Sequence, residues 1–158
     1  MAVQLNHTIV PVQDKEASAN FLAEILGLDP PKPFGPFMCL ETANGVSLDY
    51  DDRGAPEHHH YAFLVTEEEF DDIFTRVTER GLTYWADPGH QQENRINNHG
   101  RGFYFEDPSG HNCVLVCHSA RLAPGGESCQ RTIAPFESGP GPMRQAERYR
   151  PRDVCAGI

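Results

Sequence analysis

Two histidines stand at corresponding points of two apolar segments of this chain. His7 lies in LNHTIVPV (residues 5–12), and His60 begins HYAFLV (residues 60–65). An imidazole can ligate a metal ion or transfer a proton near neutral pH. The first segment alternates, which predicts a strand with His7 and Ile9 on one face. The two histidines are therefore a candidate pair for chemistry, and hydrogen-bonded histidines lining a cavity are the alternative interpretation.

The two histidines belong to a longer internal repeat. Gly27 corresponds to Gly81 at nearly the same offset that relates His7 to His60. Each copy has the pattern of a strand, a helix and three further extended segments, so the sequence predicts a duplicated βαβββ unit. Two copies related by a pseudo-twofold axis bring equivalent side chains toward that axis, which is why the repeat favours one shared site.

Each copy contains one helix with recognisable ends. Asp14 is suited to cap the first helix, and Gly27 is suited to end it. Thr66 and Glu69 have the spacing of a capping box at the start of the second helix, which ends at Gly81. Apolar residues recur at helical spacing in both, so each helix should bury one face. These residues are Phe21, Leu22, Ile25 and Leu26 in the first helix and Phe70, Ile73, Phe74 and Val77 in the second.

Hairpins follow the helices. Residues 37–42 and 46–50 flank Asn44-Gly45, a pair that accepts positive φ at both positions and predicts a tight turn. In the second copy a short strand and a polar loop lead to a hairpin at residues 101–118. This hairpin turns at Asp107-Pro108-Ser109-Gly110, where proline presets φ and glycine tolerates a positive value.

Composition limits the possible partners. The 158 residues are 39% hydrophobic and 23% charged, as in ordinary globular proteins, and their formal net charge is -10. That charge opposes binding to nucleic acid or to an anionic membrane surface. The chain has no long apolar run, residues 1–12 have neither a basic start nor a long apolar core, and the five cysteines are an odd number. We therefore expect a cytoplasmic protein with reduced thiols.

Residues 119–158 differ in composition from the rest of the chain. Arginines outnumber acidic residues there, and proline-glycine segments interrupt a stretch with few large apolar side chains. Such a composition buries too little apolar surface to form a core. We expect an irregular or disordered tail, and a short basic interaction segment at residues 144–152 is the alternative.

The segments LNHTIVPV, HHYAFLV and GFYFEDPSGH, in this order and within a duplicated βαβββ pattern, resemble the vicinal oxygen chelate superfamily. That superfamily holds glyoxalases, extradiol dioxygenases, fosfomycin resistance enzymes and bleomycin resistance proteins. The resemblance implies an α+β fold of two tandem βαβββ modules, at about residues 4–52 and 57–118, within one domain at residues 1–118. It also implies a homodimer with sites near the subunit interface.

The resemblance further implies a set of metal ligands. Metal-using members have a histidine on the first strand of each module and a glutamate three residues after the histidine of the D-P-x-G-H turn. The corresponding residues are His7, His60 and Val114, and valine has no atom that ligates a metal. Asp49 is a candidate replacement, since it shares strand parity with Ser47, where glyoxalase-like members supply a further carboxylate. The expected cofactor is a divalent metal such as Zn, Mn, Fe or Ni.

Four residues are candidates for binding a substrate. Trp85, Tyr104 and Phe37 are candidate walls of an apolar cavity, and Tyr104 is also a candidate catalytic hydrogen-bond donor. Arg101 borders the polar loop and is a candidate contact for an anionic substrate. The alternative for the three aromatic residues is ordinary packing, and for the arginine it is an exposed position without a ligand.

Three functions fit these residues. The first is a metal-dependent small-molecule enzyme, such as a lyase or dioxygenase, in which the ion chelates vicinal substrate oxygens. The second is a metal-free protein of the bleomycin resistance kind that sequesters an antibiotic or metabolite. The third is a degenerate or regulatory member whose tail contacts a partner. Val114 separates the first two, because it removes the ligand on which metal chemistry in this superfamily depends.

Overall fold

Two copies of one βαβββ unit make up the residues that the computed structural model describes, 3–97 and 101–117. The predicted tail at residues 119–158 lies outside the described residues. The elements of the first copy are β1 (His7–Pro11), α1 (Lys15–Leu26), β2 (Lys32–Phe34), β3 (Phe37–Glu41) and β4 (Ser47–Asp51). Those of the second copy are β5 (His60–Val65), α2 (Glu67–Glu79), β6 (Tyr84–Trp85), β7 (Gly102–Glu106) and β8 (Asn112–Cys117).

The two sheets share one strand order, β1-β4-β3-β2 in the first copy and β5-β8-β7-β6 in the second. In each sheet the first strand lies at an edge and pairs parallel with the last strand, and the other pairs are antiparallel. This repeated topology confirms the predicted duplication and the α+β fold. His7 and His60 therefore occupy equivalent positions, each at the start of an edge strand.

The predicted helix ends are also confirmed. The Asp14 side chain accepts a hydrogen bond from the Ala17 backbone N–H at 2.9 Å, and Gly27 ends α1 with a left-handed φ of 72°. Thr66 and Glu69 form the reciprocal bonds of a capping box at the start of α2. Neither helix of the described chain is long and apolar enough to cross a membrane.

The short strand β2 is an element that the sequence analysis did not predict. It contains Pro33 and pairs antiparallel with β3 at the edge of the first sheet. Proline lacks a backbone N–H, so it is tolerated on an edge strand, where one side of the backbone needs no partner. The prolines near residue 30 thus prevent a helix from resuming after Gly27 and still permit a strand.

The turn between β3 and β4 differs from the predicted one. Asn44 has no positive φ, and Gly45 alone of the pair is left-handed, with φ 76°. The Gly45 N–H donates to the Thr42 carbonyl at 2.8 Å, and the Thr42 N–H donates to the Val46 carbonyl at 2.9 Å. The loop is therefore longer than a two-residue hairpin turn, and it needs a left-handed residue only at its last position.

One apolar core takes side chains from both helices and both sheets. Each helix packs against the sheet of its own copy, which gives every sheet an inner face toward the helix and an open face away from it. Alternation along the strands assigns side chains to these faces, so that Val10 is buried and its neighbour Ile9 is 41% exposed. The two open faces carry most of the residues that sequence analysis singled out.

Candidate functional site

The open face of the first sheet carries His7, Ser47 and Glu41 side by side on neighbouring strands. The adjacent row holds Ile9, Asp49 and Cys39. A cavity of about 530 Å³ opens here, lined by Lys32, Cys39, Glu41 and Ser47 together with the segment after α1. The first module therefore offers polar, ionisable groups around a pocket large enough for a small molecule.

His7 is exposed and has a defined ring orientation. Its Nδ1 lies 2.9 Å from the Asn6 side-chain oxygen. Because an amide oxygen only accepts, Nδ1 carries the proton, and Nε2 keeps its lone pair. A histidine that ligates a metal is oriented by such a second hydrogen bond. His7 thus has the local arrangement of a metal ligand or of a general base.

Asp49 is nearly buried, and its carboxylate has two polar neighbours. The Ser47 hydroxyl donates to Asp49 Oδ1 at 2.5 Å. The Cys39 thiol also bonds to Asp49, and burial together with this carboxylate raises the pKa of Cys39 to about 11. The thiol stays protonated at neutral pH and acts as a hydrogen-bond donor, so it is not an activated nucleophile.

The open face of the second sheet combines an apolar strip with a polar row. Ala62, Val114, Tyr104 and Trp85 stand side by side across its four strands. The polar row beside them consists of His60, Asn112 and Glu106. His60 is exposed, and its ring centroid lies 6.0 Å from that of Tyr104. Burial raises the pKa of Tyr104, so its phenol is a proton donor at neutral pH.

Trp85 and His90 stack face to face on this open face. Their ring centroids are 3.9 Å apart and their planes differ by 4°. His90 Nδ1 lies 3.6 Å from the Glu106 carboxylate, and the His90 backbone is left-handed with φ 56°. His90 Nε2 and Asn112 Oδ1 are buried with no hydrogen-bond partner among the described residues. Sequence analysis missed His90 because it lies in a polar loop, where no periodicity fixes the direction of a side chain.

Phe37 and Arg101 lie in different surroundings from each other. Phe37 is half-buried on the open face of the first sheet, where the Arg53 guanidinium lies 5.1 Å from its ring centroid. Arg101 lies on the helix side of the second sheet and forms ion pairs with Glu67 and Asp71 of α2. These ion pairs give Arg101 a role in fixing α2 and leave it away from the open face.

The described chain does not gather the predicted metal ligands into one cluster. His7 and Asp49 share the first sheet, His60 lies on the second, and Val114 presents only methyl groups. Within residues 3–97 and 101–117, no group of three or more His, Cys, Asp or Glu side chains is placed to hold a metal ion. A site that uses both histidines therefore needs the two sheets to meet.

His111, the last residue of the D-P-S-G-H turn, joins the two modules and lies away from the open faces. It is 1% exposed. Its Nδ1 accepts the His59 backbone N–H at 3.1 Å, so its Nε2 carries the proton and donates to the Pro11 carbonyl at 3.0 Å. Burial lowers the pKa of His111, in agreement with a neutral ring.

The same turn makes further bonds to the first module. The Gln13 backbone N–H donates to the Ser109 hydroxyl at 3.2 Å, and the hydroxyls of Ser109 and Ser18 are 3.0 Å apart. Asp107 accepts the backbone N–H groups of Ser109 and His111, which fixes the turn itself. The turn is thus a buried connection between the modules, which sequence analysis did not predict.

Comparisons with known proteins agree on one family for this chain. Residues 4–115 match the family described as Glyoxalase/Bleomycin resistance protein/Dioxygenase superfamily. The chain is 33% identical over 132 residues to "Glutathione transferase FosA" of Serratia marcescens, covering 78% of this chain and 88% of that protein. The solved structure "Oxidase ChaP-H2" is 60% identical with a TM-score of 0.70, covering 74% of this chain and 94% of that chain. "Oxidase ChaP-H1" is 55% identical with a TM-score of 0.71, covering 73% and 96% respectively. The chain belongs to the glyoxalase, bleomycin resistance protein and dioxygenase superfamily, as its resemblance to vicinal oxygen chelate proteins predicted.

Proposed function

We propose that this chain is an oxidase that acts on a small organic molecule. The observation that carries the proposal is its similarity to two solved structures named as oxidases, at 60% and 55% identity over more than nine-tenths of each of those chains. The identity to the transferase FosA is much lower, at 33%. The open faces combine proton donors and acceptors with an apolar strip, which suits the binding of a small organic molecule.

The substrate binds, in this proposal, between the open face of one sheet and the open face of a second copy of the chain. β1 and β5 are edge strands, and each exposes apolar side chains, with Ile9 41% and Leu64 70% exposed. Exposed apolar edge strands favour pairing with another chain. Such a homodimer would set His7 of one copy opposite His60 of the other.

The donor atoms fit a divalent ion in that assembly. His7 and Asp49 from one sheet and His60 from the other make two imidazoles and one carboxylate, the donor set of many non-haem iron oxygenases. When bound, such an ion supplies open coordination positions for substrate oxygens. The chain's own residues orient the donors, since Asn6 fixes the His7 ring and Ser47 bonds to the Asp49 carboxylate.

Tyr104 and the apolar strip around it supply the remaining chemistry. The protonated phenol of Tyr104 can donate a hydrogen bond to a substrate oxygen and stabilise negative charge that develops there. Val114, which is 5% exposed, lies beside it in the same row, and a ligand seated on this apolar strip would exclude water and so strengthen that hydrogen bond. A small molecule with one oxygen near Tyr104 and its carbon skeleton along the strip satisfies both features.

The alternative function is metal-free sequestration of a small molecule. Val114 favours it, because this 5% exposed side chain fills the place of the superfamily's glutamate with methyl groups. In that case the same open faces hold a ligand without changing it. The two candidates differ in two measurable properties, oxygen consumption and metal content.

An oxygen electrode tests the proposal with a panel of phenols, catechols and hydroquinones. We expect protein-dependent oxygen uptake that is lost in His60→Ala and kept in the matched control His58→Ala, whose side chain lies outside the open faces. Saturable ligand binding without any oxygen uptake would favour sequestration. Elemental analysis of protein purified without chelator then separates the metal-dependent form of the oxidase from a metal-free one.

A further inference from the structure

The Trp85–His90 pair has the geometry of an aromatic ligand bound on an aromatic surface. Its rings are parallel within 4° at a centroid distance of 3.9 Å. The aromatic contacts of the core around Phe103 are instead tilted or edge-on, at centroid distances above 5 Å. The imidazole therefore lies parallel to the half-buried indole, in the place that a flat ligand ring would take.

The imidazole of His90 lacks hydrogen bonds to described residues in this position. Its Nε2 is buried and has no hydrogen-bond partner among the described residues. Its Nδ1 is 3.6 Å from Glu106, which is longer than a hydrogen bond. Its φ of 56° is one that residues with a Cβ atom rarely adopt. Ring contact with Trp85 and the approach to Glu106 hold the imidazole in place, and neither ring nitrogen forms a hydrogen bond with a described residue that its departure would break.

The surroundings of Trp85 suit a planar aromatic ring. Trp85 pairs with Tyr104 on the neighbouring strand, and Val114 continues the same row. A flat ring on the indole would extend over an apolar strip, and a hydroxyl or carbonyl group on it would reach the Tyr104 phenol. The row itself carries no charged side chain, and the carboxylates near it, Glu106 and Asp87, disfavour an anionic ligand, which agrees with a neutral one.

We propose that Trp85 is the stacking surface for a planar aromatic ring of the ligand, and that His90 covers this surface in the free protein and leaves it when the ring binds. The proposal rests on the proposed function, since the surface lies on the open face assigned there to the substrate. It adds the chemical class of the ligand, a neutral planar aromatic with a hydroxyl or carbonyl group. It also gives a role to a loop residue outside the superfamily's motifs.

Two substitutions of His90 should shift the equilibrium between the covered and the open Trp85 surface in opposite directions. His90→Asn removes the ring and keeps a residue type that tolerates a left-handed backbone. His90→Phe keeps a ring on Trp85 and removes the unpaired nitrogen. Gln91→Ala, an exposed residue of the same loop, is the matched control.

The probe is 2-naphthol, and its affinity is measured by isothermal titration calorimetry. The indole N–H resonance of Trp85, the single tryptophan of the chain, reports stacking in the same samples. We expect His90→Asn to tighten binding by about tenfold, the factor for a surface that is open in roughly a tenth of molecules. His90→Phe should weaken binding, Gln91→Ala should match the parent, and the indole resonance should shift in free His90→Asn.

Several results would overturn the proposal. If His90→Asn weakened binding, His90 would be contacting the probe itself. Equal affinities for the parent and both His90 variants, or no binding by any of them, would rule out exchange of rings on Trp85. The indole resonance of His90→Asn tests the covering role even if His90→Phe fails to fold. None of these readouts needs turnover or a bound metal. They therefore test the stacking proposal even if the oxidase assay fails.

Discussion

Replacing His111 with alanine should cost a large part of the stability of this domain. The ring is buried, accepts one hydrogen bond from the second module and donates one to the first. Its removal leaves the His59 N–H and the Pro11 carbonyl unpaired, at about 1 kcal/mol or more each for partly buried groups. The cavity left by the ring adds roughly 1–2 kcal/mol. We expect the free energy of unfolding to fall by about 3–4 kcal/mol, against the 5–15 kcal/mol typical of a domain.

Urea denaturation followed by the fluorescence of Trp85 measures this loss by linear extrapolation. His58→Ala is the matched control, because His58 also bonds to the turn, at the Gly110 carbonyl, but is exposed. We expect the control to lose about 1 kcal/mol or less, as for an exposed hydrogen bond. If His111→Ala lost no more than His58→Ala, the account of the turn as the connection between the modules would be refuted.

The pH dependence of stability gives a second measure of the same residue. Burial lowers the pKa of His111 in the folded protein, so the unfolded chain takes up a proton near pH 6.5 that the folded chain does not. His111 therefore destabilises the fold as pH decreases below about 6.5, by at most about 1.4 kcal/mol per pH unit, until the folded ring titrates. Burial raises the pKa of Asp107. Protonation of this carboxyl group as pH decreases therefore stabilises the fold, which is opposite to the effect of His111. The difference between the parent and His111→Ala gives the contribution of the histidine together with its interaction with Asp107. A difference independent of pH between 5 and 7 would contradict the neutral state of His111.

Three further predictions concern the sheets and helices. Val114→Glu should bind Zn²⁺ more tightly than the parent, because it adds a carboxylate to the donors His7, Asp49 and His60, and zinc should stabilise this variant by about 2.7 kcal/mol at a hundred times its dissociation constant, whereas Val114→Gln should keep the parent's affinity. Arg101→Ala should lower the free energy of unfolding by about 1 kcal/mol through loss of its partly exposed ion pairs to α2, and calorimetry should find ligand affinity unchanged; a weaker affinity would return Arg101 to the binding site. Gly27→Ala should cost more stability in urea than Gly35→Ala: both have positive φ, but only at Gly27 would a Cβ atom meet the Arg76 guanidinium, at 2.9 Å, and displace it from its hydrogen bond to the Ile25 carbonyl; equal losses would exclude this explanation.

Local patterns predicted the fold because each depends on a few adjacent residues. Alternation assigned His7 and Ile9 to one face, and the capping residues Asp14 and Thr66 fixed the helix starts. The edge strand with Pro33 was missed because tertiary pairing, which local pattern does not report, makes a proline-containing segment extended.

The site was less predictable because its contacts join residues far apart in the chain. The hydrogen bond from His111 to Pro11 joins residues 100 positions apart, and no periodic pattern in the sequence indicates it. His90 lies over Trp85 because of the path of the polar loop between them, in which Asp87, Pro88 and Gly89 are residue types that favour turns. The placement of His7, His60 and Asp49 in one site depends on a second copy of the chain, which remains a prediction.

The D-P-S-G-H turn makes the two modules unequal despite their common origin. The corresponding turn of the first module, between β3 and β4, forms bonds within its own hairpin. The turn of the second module instead bonds to Pro11, Gln13 and Ser18 across the chain. The connection between the modules therefore depends on the turn of the second module. Substitutions in the first module's hairpin should disturb that connection less than substitutions in the D-P-S-G-H turn.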